Sequence, residues 1–484
     1  MKNLEEICAS VAILKVTGPL NKEIENIERD SRKALETDVF VAIIGTKVDG
    51  HQFIDVVKAN TVVCEVMPAE IHADKTYILV EDTAKAWAEL SAAYFGYPAS
   101  ELTVVGVTGT NGKTSVATLL YNLFQQIGVS SGLISTIEYR IGEEVLQASH
   151  TTPDSKILHG LFAKMVEAGC SHVFMEVSSH ALVQHRVHGV PFDMAIFTNI
   201  THDHLNYHGT FSAYIQAKKI LFDTLSSDAV ALVNSDDRNA KVMVQNSSAS
   251  IKTFALRKVA DYEAKIVENT LEGLYLRIAS YEVWFRLLGS FNAYNLLTAY
   301  AVSVELGFDN QEILKHLSLL EGVAGRFEVV RAPHTRLLGI VDYSHTPDSL
   351  KNALQTLQDI HGNQGEIITV VGCGGDRDTA KRPLMGKIAA ELSNRAILTS
   401  DNPRSEAPEE IIAQMYEGIN PTLKKRVLRI PDRREAIFLA CSIAQSHDVI
   451  LIAGKGHETY QEINGKRFPF DDKKVYLEAL QELK

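Results

Sequence analysis

Residues 104–120, VVGVTGTNGKTSVATLL, place two close glycines and a Lys-Thr pair between two apolar runs. That order is a strand, a turn and a helix start, and its chemistry is phosphate binding. Gly109, Thr110, Asn111 and Gly112 make a loop whose backbone N–H groups can face an anion, Lys113 can reach the outer phosphates, and the Thr114 hydroxyl can hold Mg2+. Val107 stands where the common phosphate loop carries its first glycine, so the assignment leans on the flanking strand and helix. Two further stretches, MEVSSHALVQHRV and TNITHDHLNYHG, bring Glu176, His202, Asp203, His204 and His208 to the ends of apolar runs. Alone, such residues describe a hydrolase metal site or merely hydrogen-bonded loops. Beside a phosphate loop they suit a magnesium shell, with Glu176 as an oxygen ligand and His204 as an unusual nitrogen ligand.

The segment YIQAKKILF, residues 214–222, adds a lysine in an odd place. Counted from Phe211, the apolar positions Tyr214, Ile215, Phe222 and Leu225 follow helical spacing and put Lys218 on the inward stripe. Lys219 falls with Ser212, Gln216 and Asp223, on the side expected to face solvent. A buried ammonium at Lys218 would need a salt bridge or a phosphate.

These residues need a scaffold, and the alternation of short β-branched runs with helical segments supplies one. VFVAII, TVVCEV and TYILVED precede a helical AKAWAELSAAYFGY; HVFMEVSS, MAIFTNI and AVALVNSDD follow the phosphate loop; LGIVDYSH, EIITVVGCGG, RAILTSDN and VILIAGKGHE form a last series. Each strand ends in polar residues, as strands do when they present ligands at one edge of a parallel sheet. The pattern predicts a three-domain α/β protein: residues 1–100, a central mononucleotide-binding parallel sheet over 101–327, and a Rossmann-like domain over 328–484. The loop GCGGDR is no dinucleotide fingerprint, because Arg377 occupies a position that needs glycine or alanine.

At 484 residues, 45% hydrophobic and 22% charged, the chain is long enough for about three globular domains. Its net charge of −12 argues against general nucleic-acid binding, so bound anions must be held by local cations and amides. Cys8, Cys64, Cys170, Cys373 and Cys441 are odd in number and widely spaced, which reads as buried thiols in a reducing compartment. The acidic start MKNLEEICAS and the lack of any apolar run near the ~18 residues of a membrane span make cytoplasmic the expected location.

The ordered set TGTNGKTS, HTTPDS, MEVSSHALVQHRV, TNITHDHLNYHG, AKKILF, GSFNAYN, GRFE, VDYSHTPDSL, GCGGDRD, DNPR and GKGHE closely resembles the Mur ligases, in their tripeptide-forming type. The resemblance runs from about residue 30 to the C-terminus. It implies an ATP-dependent amide ligase of peptidoglycan precursor synthesis: the γ-phosphate activates a substrate carboxylate as an acyl phosphate, and an amine displaces phosphate. It further implies a pair of Mg2+ ions held by Thr114, Glu176, His204 and Lys218, the last carbamylated by CO2 so that it is an anion.

By the same resemblance, Asn295 of GSFNAYN, Arg326 of GRFE and Asp342 of VDYSHTPDSL contact ATP. Ser31 and the loop Thr46, Lys47 and Val48 would meet the uridine end of UDP-N-acetylmuramoyl-L-alanyl-D-glutamate, and Thr151, Thr152, Ser178, Gln184 and Arg186 its dipeptide end. The sequence LETDVFVA departs from the family's usual Pro-Gly before that strand, which bears on the 46–48 loop. The incoming amine is expected to be meso-diaminopimelate rather than L-lysine. Its distal carboxylate suits a guanidinium, and Arg404 with Asp401, Asn402, Pro403, Arg377, Gly454 and Glu458 would form the pocket. The alternatives are a lysine-adding ligase, a folate-type polyglutamate ligase, or a non-catalytic nucleotide-binding scaffold of the same fold. The partners implied are small molecules only, with no nucleic acid and no membrane insertion, acting on a monomer.

Overall fold

A computed structural model describes the chain apart from residues 46, 47, 333, 334, 336, 363, 483 and 484 and the side chain of residue 206. It divides into two compact units, Met1–Asp261 and Tyr262–Lys484.

In the first unit, five short strands come first, in the order Ile13–Thr17, Thr76–Val80, Thr61–Cys64, Val39–Val41, Ile27–Glu28. Only the first pair is antiparallel. The helix Thr83–Tyr94 covers this sheet with Ala86, Trp87, Leu90 and Ala93, and it begins where the Asp82 carboxylate accepts the N–H groups of Ala84 and Lys85.

Six parallel strands follow, in the order Ser131–Ile134, His172–Glu176, Thr103–Thr108, Met194–Phe197, Val230–Asn234, Ser250–Ala255. The strand that leads into the phosphate loop is therefore central. Glu176 lies in register with Val107 on one side and Phe197 with Thr108 on the other, so three strand ends open at one edge. An antiparallel hairpin, Glu138–Ile141 with Glu144–Gln147, extends this sheet beyond Ser131–Ile134; nothing in the alternation of the sequence had placed it.

Asp154 stitches the two parts of this unit together. Its carboxylate caps the helix Ser155–Glu167, accepts Trp87 Nε1 at 3.0 Å and pairs with Arg29 at 2.8 Å.

The second unit opens with an antiparallel meander, Tyr262–Thr270, Gly273–Ile278 and Tyr281–Phe285, also unplaced by the sequence pattern. Helices Ser290–Glu305 and Asn310–Leu319 follow. A six-stranded sheet then runs Glu328–Arg331, Leu338–Asp342, Val449–Ala453, Ile367–Cys373, Arg395–Ser400, Val427–Arg429, parallel except for its first pair. Alternate residues feed opposite layers: Val371, Leu398 and Leu451 pack under the helices carrying Leu354, Met385 and Ile411, while Val370, Ile397 and Ile450 pack under those carrying Ile437 and Tyr476. The helix Pro347–His361 shows why these segments are helical, with a capping box between Thr346 and Ser349, a proline in the first turn and Gly362 after the last.

One ion pair in this unit is fully enclosed. Arg433 and Asp472 are both 0% exposed in their side chains and meet at 2.7 Å, and Arg433 Nη2 also donates to Ala453 O at 3.0 Å. The guanidinium thus clamps the C-terminal helix to the end of a central strand. Asp472→Ala strands a buried cation, and the expected loss is about 3–5 kcal/mol of unfolding free energy, measured by urea denaturation.

Candidate active site

The loop after Thr103–Thr108 is held open from below by its own backbone geometry. Gly109 has φ +153°, and a Cβ there would lie 1.9 Å from Thr198 Oγ1, so only glycine fits. Gly112, at φ 89°, starts the helix Lys113–Gln126 without a side-chain cap, which leaves the helix N-terminus to an anion. The neighbouring strand end grips the loop: Thr110 N donates to Asn199 O at 2.9 Å, Asn111 N to Asn199 Oδ1 at 3.0 Å, and Thr198 Oγ1 to Asn111 O at 2.7 Å. Thr114 is buried in the first helical turn.

Two lysines converge on one oxygen. Lys113 Nζ donates to Gly109 O at 2.9 Å and to Thr110 O at 2.9 Å, and Lys218 Nζ donates to the same Gly109 O at 2.8 Å. Lys218 arrives from the helix Phe211–Asp223, is 1% exposed, and lies 4.8 Å from the ring centre of Tyr214. Burial, and next the charge of Lys113, push its pKa well below that of an ordinary lysine, with Asp203 opposing. The inward register of Lys218 is as the helical spacing predicts.

Lys219 is different from expectation. It is 3% exposed rather than solvent-facing, because its stem packs inside the helix layer while Nζ reaches Asp223 one turn on. The helix is covered by its neighbours over an arc wider than the stripe of large apolar residues suggests.

Glu176 is 1% exposed and accepts Thr136 N at 2.6 Å and Thr136 Oγ1 at 3.2 Å. Around it the structure gathers the residues expected at the peptide end. Thr151 Oγ1 lies 3.0 Å from Thr136 Oγ1, and Thr152 Oγ1 donates to Glu176 O at 2.8 Å and takes the N–H of Ser178 at 3.0 Å. Arg186 donates to Thr152 O at 2.8 Å and to Gln184 Oε1 at 2.7 Å, and Gln184 in turn donates to Tyr207 Oη at 3.0 Å. Ser31 and Val48 lie on the first sheet's side, and no hydrogen bond among the described residues joins either to this group. Thr46 and Lys47 lie outside the described residues.

The imidazoles of His180 and His204 have centroids 4.9 Å apart, and those of His180 and His208 are 5.5 Å apart. Burial, foremost, holds all three below the ordinary histidine range, with His180 lowered to about 4, so each is neutral at pH 7. Among the described residues no group of three or more His, Cys, Asp and Glu side chains is placed to hold a metal. The expected donor set contains only two such residues, Glu176 and His204, beside a threonine and a lysine. Carboxylate and hydroxyl suit Mg2+, a neutral imidazole is tolerated as an unusual nitrogen donor and an ammonium is not; the set would fit a hard dication once Lys218 bears anionic oxygens.

In the second unit, the three loops expected to bind the amine meet at the ends of adjacent parallel strands. Arg404, itself at φ 52°, donates from Nη1 to Gly375 O at 2.7 Å and stands 3.5 Å from Glu462. A Cβ on Gly374 would be 3.0 Å from Arg404 Nη1 and 3.6 Å from Arg377 Cγ, so both arginines flank one loop. Asp401, Asn402 and Pro403 are buried, and Asp401 Oδ2 has no hydrogen-bond partner among the described residues, with Gly454 (φ 117°) directly against it. Asn402 Nδ2 donates to Glu458 Oε2 at 2.8 Å.

Of the remaining residues, Asn295 is buried in the helix Ser290–Glu305 and donates to Asn292 Oδ1 at 2.9 Å. Arg326 lies 4.6 Å over the Tyr343 ring. Asp342 accepts Phe327 N at 2.6 Å and the Ser344 hydroxyl, and burial raises its pKa above the usual carboxylate value.

The motifs undervalued Thr198, Asn199, Thr136, Tyr207 and Lys455. The first two stand at the head of the very stretch singled out for its histidines.

A glycine loop gripped at the centre of a parallel sheet, with two lysines on one carbonyl, defines a nucleoside-triphosphate-binding α/β protein of the P-loop kind. Residues 107–303 match the family model of the Mur ligase middle domain, and residues 325–456 that of the Mur ligase glutamate ligase domain, so the chain belongs to the Mur ligase family. It is 49% identical to the UDP-N-acetylmuramoyl-L-alanyl-D-glutamate–2,6-diaminopimelate ligase of Cytophaga hutchinsonii over 99% of both chains. It is 46% identical to the protein of that name from Phocaeicola vulgatus, over 98% of both. A solved structure of a ligase of that name superposes with a TM-score of 0.71 at 33% identity, covering 99% of each chain. The α/β architecture expected from the strand pattern is thus that of the family.

Gly109→Ala is expected to push the loop away from Thr198 and weaken ATP binding by at least about tenfold. Calorimetric titration checks the affinity, and the far-ultraviolet circular dichroism should stay unchanged.

Proposed function

We propose that this chain is an ATP-dependent, ADP-forming amide ligase that adds meso-diaminopimelate to UDP-N-acetylmuramoyl-L-alanyl-D-glutamate in peptidoglycan precursor synthesis. The observation that carries the proposal is the pair Lys113 and Lys218 at the Gly109 carbonyl, in a chain alike over its whole length to ligases of that name.

The phosphate loop Gly109–Gly112 and the N-terminus of its helix would cradle the ATP phosphates, and Lys113 would turn from Gly109 O to the outer phosphates as they arrive. Asn295, Arg326 and Asp342 are assigned to the nucleotide by their motifs. Thr151, Thr152, Ser178, Gln184 and Arg186 would orient the dipeptide so that its terminal carboxylate oxygen attacks the γ-phosphorus, breaking the bond to ADP and giving an acyl phosphate. The neutral amine of diaminopimelate then attacks the acyl carbon; the tetrahedral adduct expels phosphate and the ammonium proton leaves. Held by Thr114, Glu176, His204 and Lys218, Mg2+ would neutralise phosphate charge.

Lys218 must first change its sign. Its depressed pKa keeps a fraction of the amine neutral, so its lone pair can add to CO2, with loss of one proton, to give a carbamate. The domain boundaries at 100/101 and 327/328, the uridine contacts Ser31 and 46–48, the monomeric state and the cytoplasmic location belong to the same proposal. No helix among the described residues is long and apolar enough to cross a membrane.

A diaminopimelate pocket is favoured over a lysine pocket by Arg377 and Arg404, which come from two neighbouring loops and both lie against Gly374, since a guanidinium beside lysine's terminal ammonium only repels it. Amine-dependent ADP release with the UDP-muramoyl dipeptide is expected with diaminopimelate; an equal rate with L-lysine would overturn the amine assignment, and no release with either would overturn the ligase.

Lys218→Ala should abolish turnover and short carboxylates should partly restore it, while Lys219→Ala keeps turnover. Because the folded-state pKa of unmodified Lys218 is depressed, the folded protein binds fewer protons than the unfolded chain below about pH 10, and the destabilisation grows as pH falls until the folded pKa is reached. Lys218→Met is therefore expected to melt higher than the parent at neutral pH in CO2-depleted buffer, by differential scanning calorimetry.

A further inference from the structure

Lys455 is 0% exposed, a third buried lysine among the described residues beside Lys218 and Lys219, and the reaction above does not use it. Its Nζ donates to Asn402 Oδ1 at 3.1 Å and to Glu458 Oε2 at 3.1 Å. Asn402 Oδ1 also receives Glu462 N at 2.9 Å, so both of its lone pairs are taken by groups that can only donate. That fixes which way the amide points, and Asn402 Nδ2 accordingly donates to Glu458 Oε2 at 2.8 Å. On Glu458 both protein donors land on Oε2, while Oε1 accepts no hydrogen bond among the described residues.

We propose that Lys455 is a positioning residue that sets the hydrogen-bond polarity of the amine pocket. By saturating Asn402 Oδ1 and Glu458 Oε2, it leaves Asn402 able only to donate, toward a carboxylate, and leaves Glu458 Oε1 to accept from an ammonium. A ligand carrying those two groups on one carbon, an α-amino-acid end, is what such a wall recognises, and an end with the ammonium alone uses half of it. This rests on the diaminopimelate reading of the site. Without Lys455 one lone pair of Asn402 Oδ1 is freed and Glu458 Oε2 loses its cation, so the wall gains acceptors and discriminates less.

The test is steady-state kinetics of Lys455→Met in the full chain. The expected result is a KM for diaminopimelate raised by about tenfold to a hundredfold, with KM for ATP and for the UDP-muramoyl dipeptide within about twofold. The kcat/KM preference for diaminopimelate over L-lysine should fall. In a Glu458→Gln background the same substitution should cost markedly less, because both changes act on one carboxylate. If Lys455→Met does not fold, Lys455→Gln, which keeps one N–H for Asn402 Oδ1, is expected to give an intermediate KM with the same selectivity. An unchanged KM for diaminopimelate, a parallel rise in all three KM values, or additive effects with Glu458→Gln would each overturn the proposal. A parent protein that ignores diaminopimelate would instead overturn the functional reading on which it rests.

Discussion

Two lysine Nζ groups on one carbonyl oxygen are an arrangement a protein does not keep without a reason. Lys113 and Lys218 both donate to Gly109 O, and burial together with their mutual repulsion depresses the pKa of Lys218. Gly109 must be glycine because Thr198 stands where a side chain would go, and Thr198 and Asn199 hold the loop from the neighbouring strand end. In the proposed reaction phosphates would relieve Lys113, and conversion to a carbamate would relieve Lys218.

The same principle organises the second unit with the opposite sign. Among the described residues, Asp401 keeps one buried carboxylate oxygen without a hydrogen-bond partner, and Glu458 Oε1 accepts no hydrogen bond. Of the cations around them, Arg433 is committed to Asp472 and Lys455 to Asn402 and Glu458. A chain with a net charge of −12 binds anionic substrates through a few cations in enclosed places, where each counts for more than on the surface.

Parallel sheets explain why these groups meet at all. In both units the loops that carry chemistry leave the carboxyl ends of adjacent strands, and the strand order, not the chain order, decides which loops become neighbours. Glu176 lies beside the phosphate loop because its strand pairs with Thr103–Thr108, although the strand next in the chain is Ser131–Ile134. GCGGDRD, DNPR and GKGHE converge because Val449–Ala453 inserts beside Ile367–Cys373.

Much of this was legible from residue types alone. Apolar runs ending in polar residues marked the parallel strands, Gly-Lys-Thr between strand and helix marked the phosphate loop, and helical spacing pointed Lys218 inward. The hairpin at Glu138–Gln147 and the meander at Tyr262–Phe285 escaped because their strands mix charged and apolar residues on faces exposed in part, leaving no clean period. Lys219 escaped because the width of a helix's buried arc depends on what packs against it. The sequence by itself determined which local structures form and which residues have the chemistry to act, because propensity, spacing and glycine stereochemistry are local. Only the tertiary structure decided that two lysines share one oxygen, that Thr136 holds both oxygens of Glu176, and that Lys455 orients Asn402, because each of those facts depends on strand order and burial that no short stretch of sequence contains.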